Sequence, residues 1–201
     1  GASTATLSGT PANGDVGSHS VTITVADAAG LTDTETFTIV VTNTNDAPTI
    51  SSTAVTSVDE DSAYSYTTTA SDVDVGDTVT LSCTTVPAWL TCTAGALSGT
   101  PDNDDVGSHS VVITASDGNG GSATDSFSIA VANTNDAPTI TSTAVTAATE
   151  DAAYTYTVTT ADVDVNDGVT LTGTTVPSWL TFTASTGVLA GTPLDANVGD
   201  N

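Results

Sequence analysis

The string TNTNDAPTI runs from Thr42 to Ile50 and returns, with only its first residue changed, as ANTNDAPTI from Ala132 to Ile140. Its Asp-Ala-Pro step begins at Asp46 and again at Asp136, a period of 90 residues. Two further landmarks keep that period. VPAWLT at Val86–Thr91 is matched by VPSWLT at Val176–Thr181, and DVGSHSV at Asp15–Val21 by the same string at Asp105–Val111. A fourth, LSGTP at Leu7–Pro11 and Leu97–Pro101, becomes LAGTP at Leu189–Pro193. That last step is 92, because Ala184-Ser185-Thr186-Gly187 replaces the shorter Ala94-Gly95. A fixed internal period marks a repeat architecture. It divides the chain into the last part of one repeat (1–45), a complete repeat (46–135) and the first part of a third (136–201). Beginning and stopping inside a repeat leaves two expectations open. One is a window on a longer array; the other is a subunit completed by a neighbour's strands, giving a filament by strand addition.

Within the complete repeat, alternating segments bounded by turn residues predict about seven strands. They fall near Thr49–Val58, Ala63–Ala70, Thr78–Thr85, Trp89–Thr93, Ala96–Ser98, Ser108–Asp117 and Thr124–Asn133. The last two alternate cleanly, with Val111, Ile113 and Ala115 on one core face and Phe127, Ile129 and Val131 on the other. Trp89 and Leu90 are expected to plug the core, and the strand tyrosines Tyr64, Tyr66, Tyr154 and Tyr156 to pack. Strands 8–12 residues apart over some 90 residues give the sandwich pattern. The fold class is therefore all-β: tandem Greek-key sandwiches. Nothing reads as helix, and Thr, a strand-favouring β-branched residue, is the commonest residue at 44 of 201.

Charge narrows the partners. The chain carries 24 acidic residues and no Lys or Arg, a formal net charge of -24. Such a surface cannot neutralise phosphate, which makes nucleic acid and anionic membrane poor partners. No stretch approaches the ~18 apolar residues of a membrane helix, so membrane insertion is not expected. The compact state repels itself, and without basic side chains the offset must come from bound cations, high salt or both. Trypsin has no site to cut.

Taken together, the linker NTNDAP, the acidic boxes Glu60-Asp61-Ser62-Ala63-Tyr64 and Glu150-Asp151-Ala152-Ala153-Tyr154, the WL and GTP strings and ITASDGNGG (Ile113–Gly121) carry a resemblance. The whole chain resembles bacterial cadherin-like domains of the dystroglycan type, which are similar to cadherin repeats and to the Ig-type repeats of bacterial surface proteins. The resemblance implies a secreted, non-catalytic surface module with calcium at the repeat junctions. Calcium takes six to eight oxygens from carboxylates, Asn and backbone carbonyls and water. At the first junction Asn43, Asn45 and Asp46 resemble the cadherin linker ligands, Asp72 and Asp74 the DxD pair, and Asp117 the lone Asp that closes the site. At the second junction the same roles fall on Asn133, Asn135, Asp136, Asp162 and Asp164, with Glu60 and Asp61 serving that junction from the far end of the repeat. The cadherin Leu-Asp-Arg-Glu motif is absent; Asp102, Asp104 and Asp105 occupy the corresponding stretch without showing which replaces it. The alternative is a set of solvated acidic loops that only keep the array soluble, and Asp117–Gly121 also reads as a tight turn without metal. An EF-hand reading of Asp162-Val163-Asp164-Val165-Asn166 fails, because Asp167 stands where Gly is needed and Gly173 where Glu is needed.

Cys83 and Cys92 are replaced together, by Gly173 and Phe182, in the third repeat. Joint presence and absence points to a disulfide; the alternative is two separate buried thiols. His19 and His109 recur in SHSV with no cysteine or second histidine nearby, against a zinc site and for a structural place at a strand start. Ser108 and Ser110 beside His109 lack a nucleophile elbow, and Asp72/Asp74 as glycosidase acids lack an aromatic platform. No enzyme is expected. The functional expectation is an adhesive or structural rod, calcium-stiffened, whose partners are neighbouring repeats of the same or an identical chain. The alternative is a carbohydrate-binding accessory module of a secreted polysaccharide-degrading enzyme, with a glycan or cell-surface ligand.

Overall fold

The computed structural model describes residues 3–164 and 167–199. Val165 and Asn166, within the rejected EF-hand stretch, lie outside the described residues. Apart from three 3-10 turns at Asn13–Asp15, Asn103–Asp105 and Asp195–Asn197, every regular element described is a strand. Among the described residues no helix is long and apolar enough to cross a membrane. The chain divides into two compact units. The first is made of 1–58, 62–101 and 107–131, and the second of 59–61, 102–106 and the chain from Ala132 onward.

In the first unit, β1 (Gly17–Ala26) and β2 (Thr32–Val41) form an antiparallel hairpin, Gly17 opposite Val41 and Ala26 opposite Thr32. There follow β3 (Thr49–Ile50), β4 (Ser57–Asp59), β5 (Tyr64–Thr67), β6 (Ala70–Ser71), β7 (Thr80–Thr85), β8 (Leu90–Thr93), β9 (Ala96–Gly99), β10 (Gly107–Ser116) and β11 (Ser122–Ala132). One sheet runs β4-β11-β10-β7 and another β5-β9-β8, while β3 pairs with β6. The chain leaves the four-stranded sheet after β7 and returns to it at β10, the crossing that makes a Greek key.

Side-chain alternation explains the core. Val111, Ile113 and Ala115 on β10 and Ile129 and Val131 on β11 are buried. Val111, Ile113 and Ile129 form one cluster with Tyr64 and Tyr66 of β5, Leu90 of β8 and Leu97 of β9, with Trp89 and Phe127 packed against it. Each fully buried side chain of this size contributes roughly 1.5–3 kcal/mol. The tyrosines keep partners for their hydroxyls: Tyr64 donates to the Val55 carbonyl at 2.7 Å and Tyr66 lies 2.8 Å from Ser52 Oγ. Their rings pack edge-on, Tyr64 against Trp89 and Tyr66 against Phe127.

Two expected strands are each broken in two. Thr49–Val58 becomes β3 and β4, and Ala63–Ala70 becomes β5 and β6. The cause is a change of partner. β3 pairs with β6, while β4 lies beside β11. Between them the Ser52 hydroxyl accepts the Thr69 N–H at 2.9 Å, so a side chain replaces a ladder bond.

The disulfide Cys83–Cys92 joins β7 to β8 and so ties the two sheets together, with Cα atoms 6.4 Å apart.

The second unit holds β12 (Thr139–Ile140), β13 (Tyr154–Thr157), β14 (Thr160–Ala161), β15 (Leu180–Thr183) and β16 (Val188–Gly191). β12 pairs with β14, and the other three run β13-β16-β15. Tyr154 donates to the Val145 carbonyl at 2.7 Å, and Tyr156 lies 2.7 Å from Ser142 Oγ. These repeat the Tyr64 and Tyr66 anchors. A Cβ on Gly173 would stand 2.8 Å from Val176 Cγ2 and 3.1 Å from Phe182 Cδ1. A bare Cα and one large ring thus occupy the room that the bridge takes in the complete repeat.

Candidate metal-binding carboxylate clusters

In the second unit, the loop after β4 brings Glu60 to the linker. Oxygens of Glu60, Asp136 and Asp164 lie within 4.8 Å of one another. Glu60 is 1 % exposed and Asp164 6 %. Glu60 Oε1 accepts the Thr134 N–H at 2.6 Å, while Oε2 is buried with no partner. The Asp136 N–H donates to Asp164 Oδ2 at 2.6 Å and Asn133 Nδ2 to Asp164 Oδ1 at 2.9 Å. Asp162 Oδ1 accepts the Asp164 N–H at 3.0 Å and orients that loop. Asn103, the first residue of a 3-10 turn capped by Asp102, donates to Asp136 Oδ2 at 2.9 Å. Its own Oδ1 is buried and unpartnered.

The first unit repeats much of this with different details. The Asp46 N–H donates to Asp74 Oδ2 at 2.7 Å, and Asn13 Nδ2 to Asp46 Oδ2 at 2.6 Å. Asp74 Oδ1, the counterpart of the oxygen that Asn133 occupies, has no partner. Oxygens of Asp72, Asp74 and Asp77 lie within 4.8 Å of one another. Asp117 takes Asn45 Nδ2 at 2.9 Å and the N–H groups of Asn119 and Gly121 at 2.7 and 3.0 Å. The Asn45 bond, with the backbone donors behind it, holds the Asp117 carboxyl below its usual range despite burial. A Cβ on Gly121 would meet Asp117 Oδ2 and come within 2.9 Å of Ala47 Cα, so only glycine lets this turn rest against the linker.

The structure thus gathers Glu60, Asn133, Asp136, Asp162 and Asp164 in one place, and Asn45, Asp46, Asp72, Asp74 and Asp117 in another. Asn43 is exposed. Asn135 is exposed and donates to the Asp136 carbonyl at 2.8 Å. Asp61 is exposed at φ 58° and stands outside the Glu60 group. Two residues join that the sequence reading passed over. Asn103 reaches the linker; its recurrence as Asn13, 90 residues earlier, was the available signal. Asp77 closes the Asp72–Asp74 group. Among the described residues, neither histidine enters a cluster. His19 Nε2 lies 2.6 Å from the Asp15 carbonyl, and His109 packs edge-on against Trp89.

The donors are all oxygen, which suits a hard cation of the calcium class rather than zinc or copper. Glu60 Oε2, Asp74 Oδ1 and Asn103 Oδ1 are orphaned buried acceptors, and the sequence holds no Lys or Arg to satisfy them. The residues present fit such an ion.

The Putative Ig domain family (He_PIG) matches residues 1–42, 47–132 and 137–201. The chain belongs to that family, and it is an Ig/cadherin-like repeat module. Among solved structures it is similar to the protocadherin fragment PcdhgB3 EC1-4, at 20 % identity and TM-score 0.56, over 88 % of this chain and 48 % of that one. It is also similar to human CDH23 EC21-23, at 17 % identity and TM-score 0.53, over 92 % and 70 %. A family 107 endo-fucoidan hydrolase aligns at 24 % identity and TM-score 0.39 over 95 % of this chain; the chain spans 32 % of that enzyme's length. These likenesses show the fold alone. No curated protein matches.

Proposed function

We propose that the chain is a non-catalytic structural module of an extracellular or surface protein, in which calcium held by the linker carboxylates stiffens successive repeats into a rod. Its division is that of the sequence period: a partial repeat, a complete one at 46–135 and a further partial one. Its partners are then neighbouring repeats, of the same chain or of an identical one. One observation carries the reading: Glu60, 1 % exposed, keeps an unpartnered oxygen beside Asp136 and Asp164. Two like charges 4 Å apart repel by about 4 kcal/mol at an effective dielectric of 20. A divalent ion there turns repulsion into attraction and ties the end of one repeat to the linker of the next. Asn103, Asn133 and Asp162 orient the carboxylates, and the ion supplies the missing positive charge. The aromatic rings favour this over a carbohydrate module, since Tyr64, Tyr66, Trp89 and Phe127 are committed to edge-on packing. Thermal unfolding in calcium and in EGTA tests it. Each site filled at 100 times its Kd adds about 2.7 kcal/mol, so the melting temperature must rise with calcium. An unchanged transition refutes the proposal.

A further inference from the structure

We propose that Asn119, in the turn between β10 and β11, is a site of spontaneous deamidation, with the Gly120 backbone nitrogen as nucleophile and water as co-reactant. The conversion loosens the turn that rests against the linker.

The sequence holds two Asn-Gly pairs, Asn13-Gly14 and Asn119-Gly120. A glycine after asparagine has no Cβ to shield its nitrogen from the side-chain carbon before it. The fold treats the two pairs differently. Asn13 opens a 3-10 turn, which keeps the Gly14 nitrogen in helical geometry, and its Nδ2 donates to Asp46 Oδ2 at 2.6 Å. Asn119 is exposed. Among the described residues it is held by its backbone N–H alone, which donates to Asp117 Oδ1 at 2.7 Å. Gly120 sits at φ +111°, with nothing within 4 Å of where a Cβ would stand. The equivalent turn at Asp27 is built with Ala29 in the same place. There the Ala29 and Leu31 N–H groups donate to Asp27 Oδ1 at 2.9 and 2.8 Å. The Asn119 carboxamide is thus not what forms the turn, and it is left free to react.

Hydroxide takes the Gly120 amide proton, and the nitrogen attacks Asn119 Cγ. The bond from Cγ to the carboxamide nitrogen breaks, and ammonia leaves with a proton from water. Water then opens the cyclic imide at either carbonyl, giving aspartate or isoaspartate; nothing is oxidised or reduced. Isoaspartate adds a methylene to the backbone between residues 119 and 120. Asp117 at present takes the N–H groups of Asn119 and Gly121 together, at 2.7 and 3.0 Å. Gly121 also packs so closely that a Cβ there would come within 2.9 Å of Ala47 Cα in the linker. A lengthened backbone cannot keep both contacts.

The whole chain is aged in mildly alkaline buffer, native and in urea, and its peptic peptides are followed by mass spectrometry. In the native chain Asn119 is expected to deamidate at least tenfold faster than Asn13; in urea the two rates should agree within about twofold, because both are Asn-Gly pairs. Native Asn13 reacting as fast as Asn119, or Asn119 reacting at least tenfold more slowly in the native chain than in urea, overturns the site. Aged wild type should unfold at lower urea concentration than fresh protein, and aged Asn119→Ala, whose turn has its precedent at Ala29, should not. A fall of the same size in both, or in neither, overturns the loosening.

Discussion

Glu60 and Thr134 stand 74 residues apart, and the Glu60 carboxylate accepts the Thr134 N–H at 2.6 Å. This bond fixes the acid at the start of the complete repeat against the linker at its end, and leaves the second carboxylate oxygen for an ion. Glu60→Gln keeps the acceptor and removes the charge. In EGTA the variant should be more stable than wild type by about 1–3 kcal/mol, because an uncompensated buried charge is gone. In calcium the order should reverse. Urea unfolding of both proteins in both buffers gives the four values needed.

Asp117 makes a pH prediction. Its folded-state pKa is lowered, first by Asn45 and then by the backbone N–H groups of its turn. A depressed carboxyl contributes stability that is present above the unfolded pKa and lost as pH falls through the folded one. The loss therefore sets in around the ordinary value of 3.8 and continues below it. Wild type should lose stability with acid more steeply than Asp117→Asn in that window, as read by urea midpoints from pH 5 down to pH 2.

The sheet-to-sheet bridge should be worth about 2–3 kcal/mol for a loop this short. Cys83→Ala combined with Cys92→Ala should lower the unfolding free energy by that amount, measured by urea denaturation against the oxidised wild type.

At the equivalent place in the second unit, Gly173→Ala forces a Cβ to within 2.8 Å of Val176 Cγ2 and 3.1 Å of Phe182 Cδ1. Overpacking of this kind costs about 1–3 kcal/mol. Adding Phe182→Leu should restore part of the loss, which a double-mutant cycle on the urea midpoint would show.

Much of the fold was legible because its signals are periodic. Val111, Ile113, Ala115, Ile129 and Val131 announce two buried strand faces by alternation alone. The split of Thr49–Val58 was not legible, since it depends on which sheet each half finds, and Ser52 reveals this only through its contact with Thr69. Asp46, Asp72, Asp74, Asp136, Asp162 and Asp164 were named through the resemblance of the NTNDAP linker and the DxD pair to cadherin repeats, which also named Asp61, a residue that stands outside the Glu60 group. Asn103 was hidden because a carboxamide among three aspartates looks like the least promising ligand. The geometry of the 3-10 turn shows that Asn103 faces the linker, as Asn13 does 90 residues earlier. Asp77 was passed over because its place in the cluster depends on the turn at Gly76, which spacing alone does not give.

The most direct measurement is a high-resolution crystal structure of the chain grown with calcium. The account predicts an ion with oxygens of Glu60, Asp136 and Asp164 at about 2.3–2.6 Å. Well-ordered carboxylates at those positions, separated by water alone at saturating calcium, would contradict it.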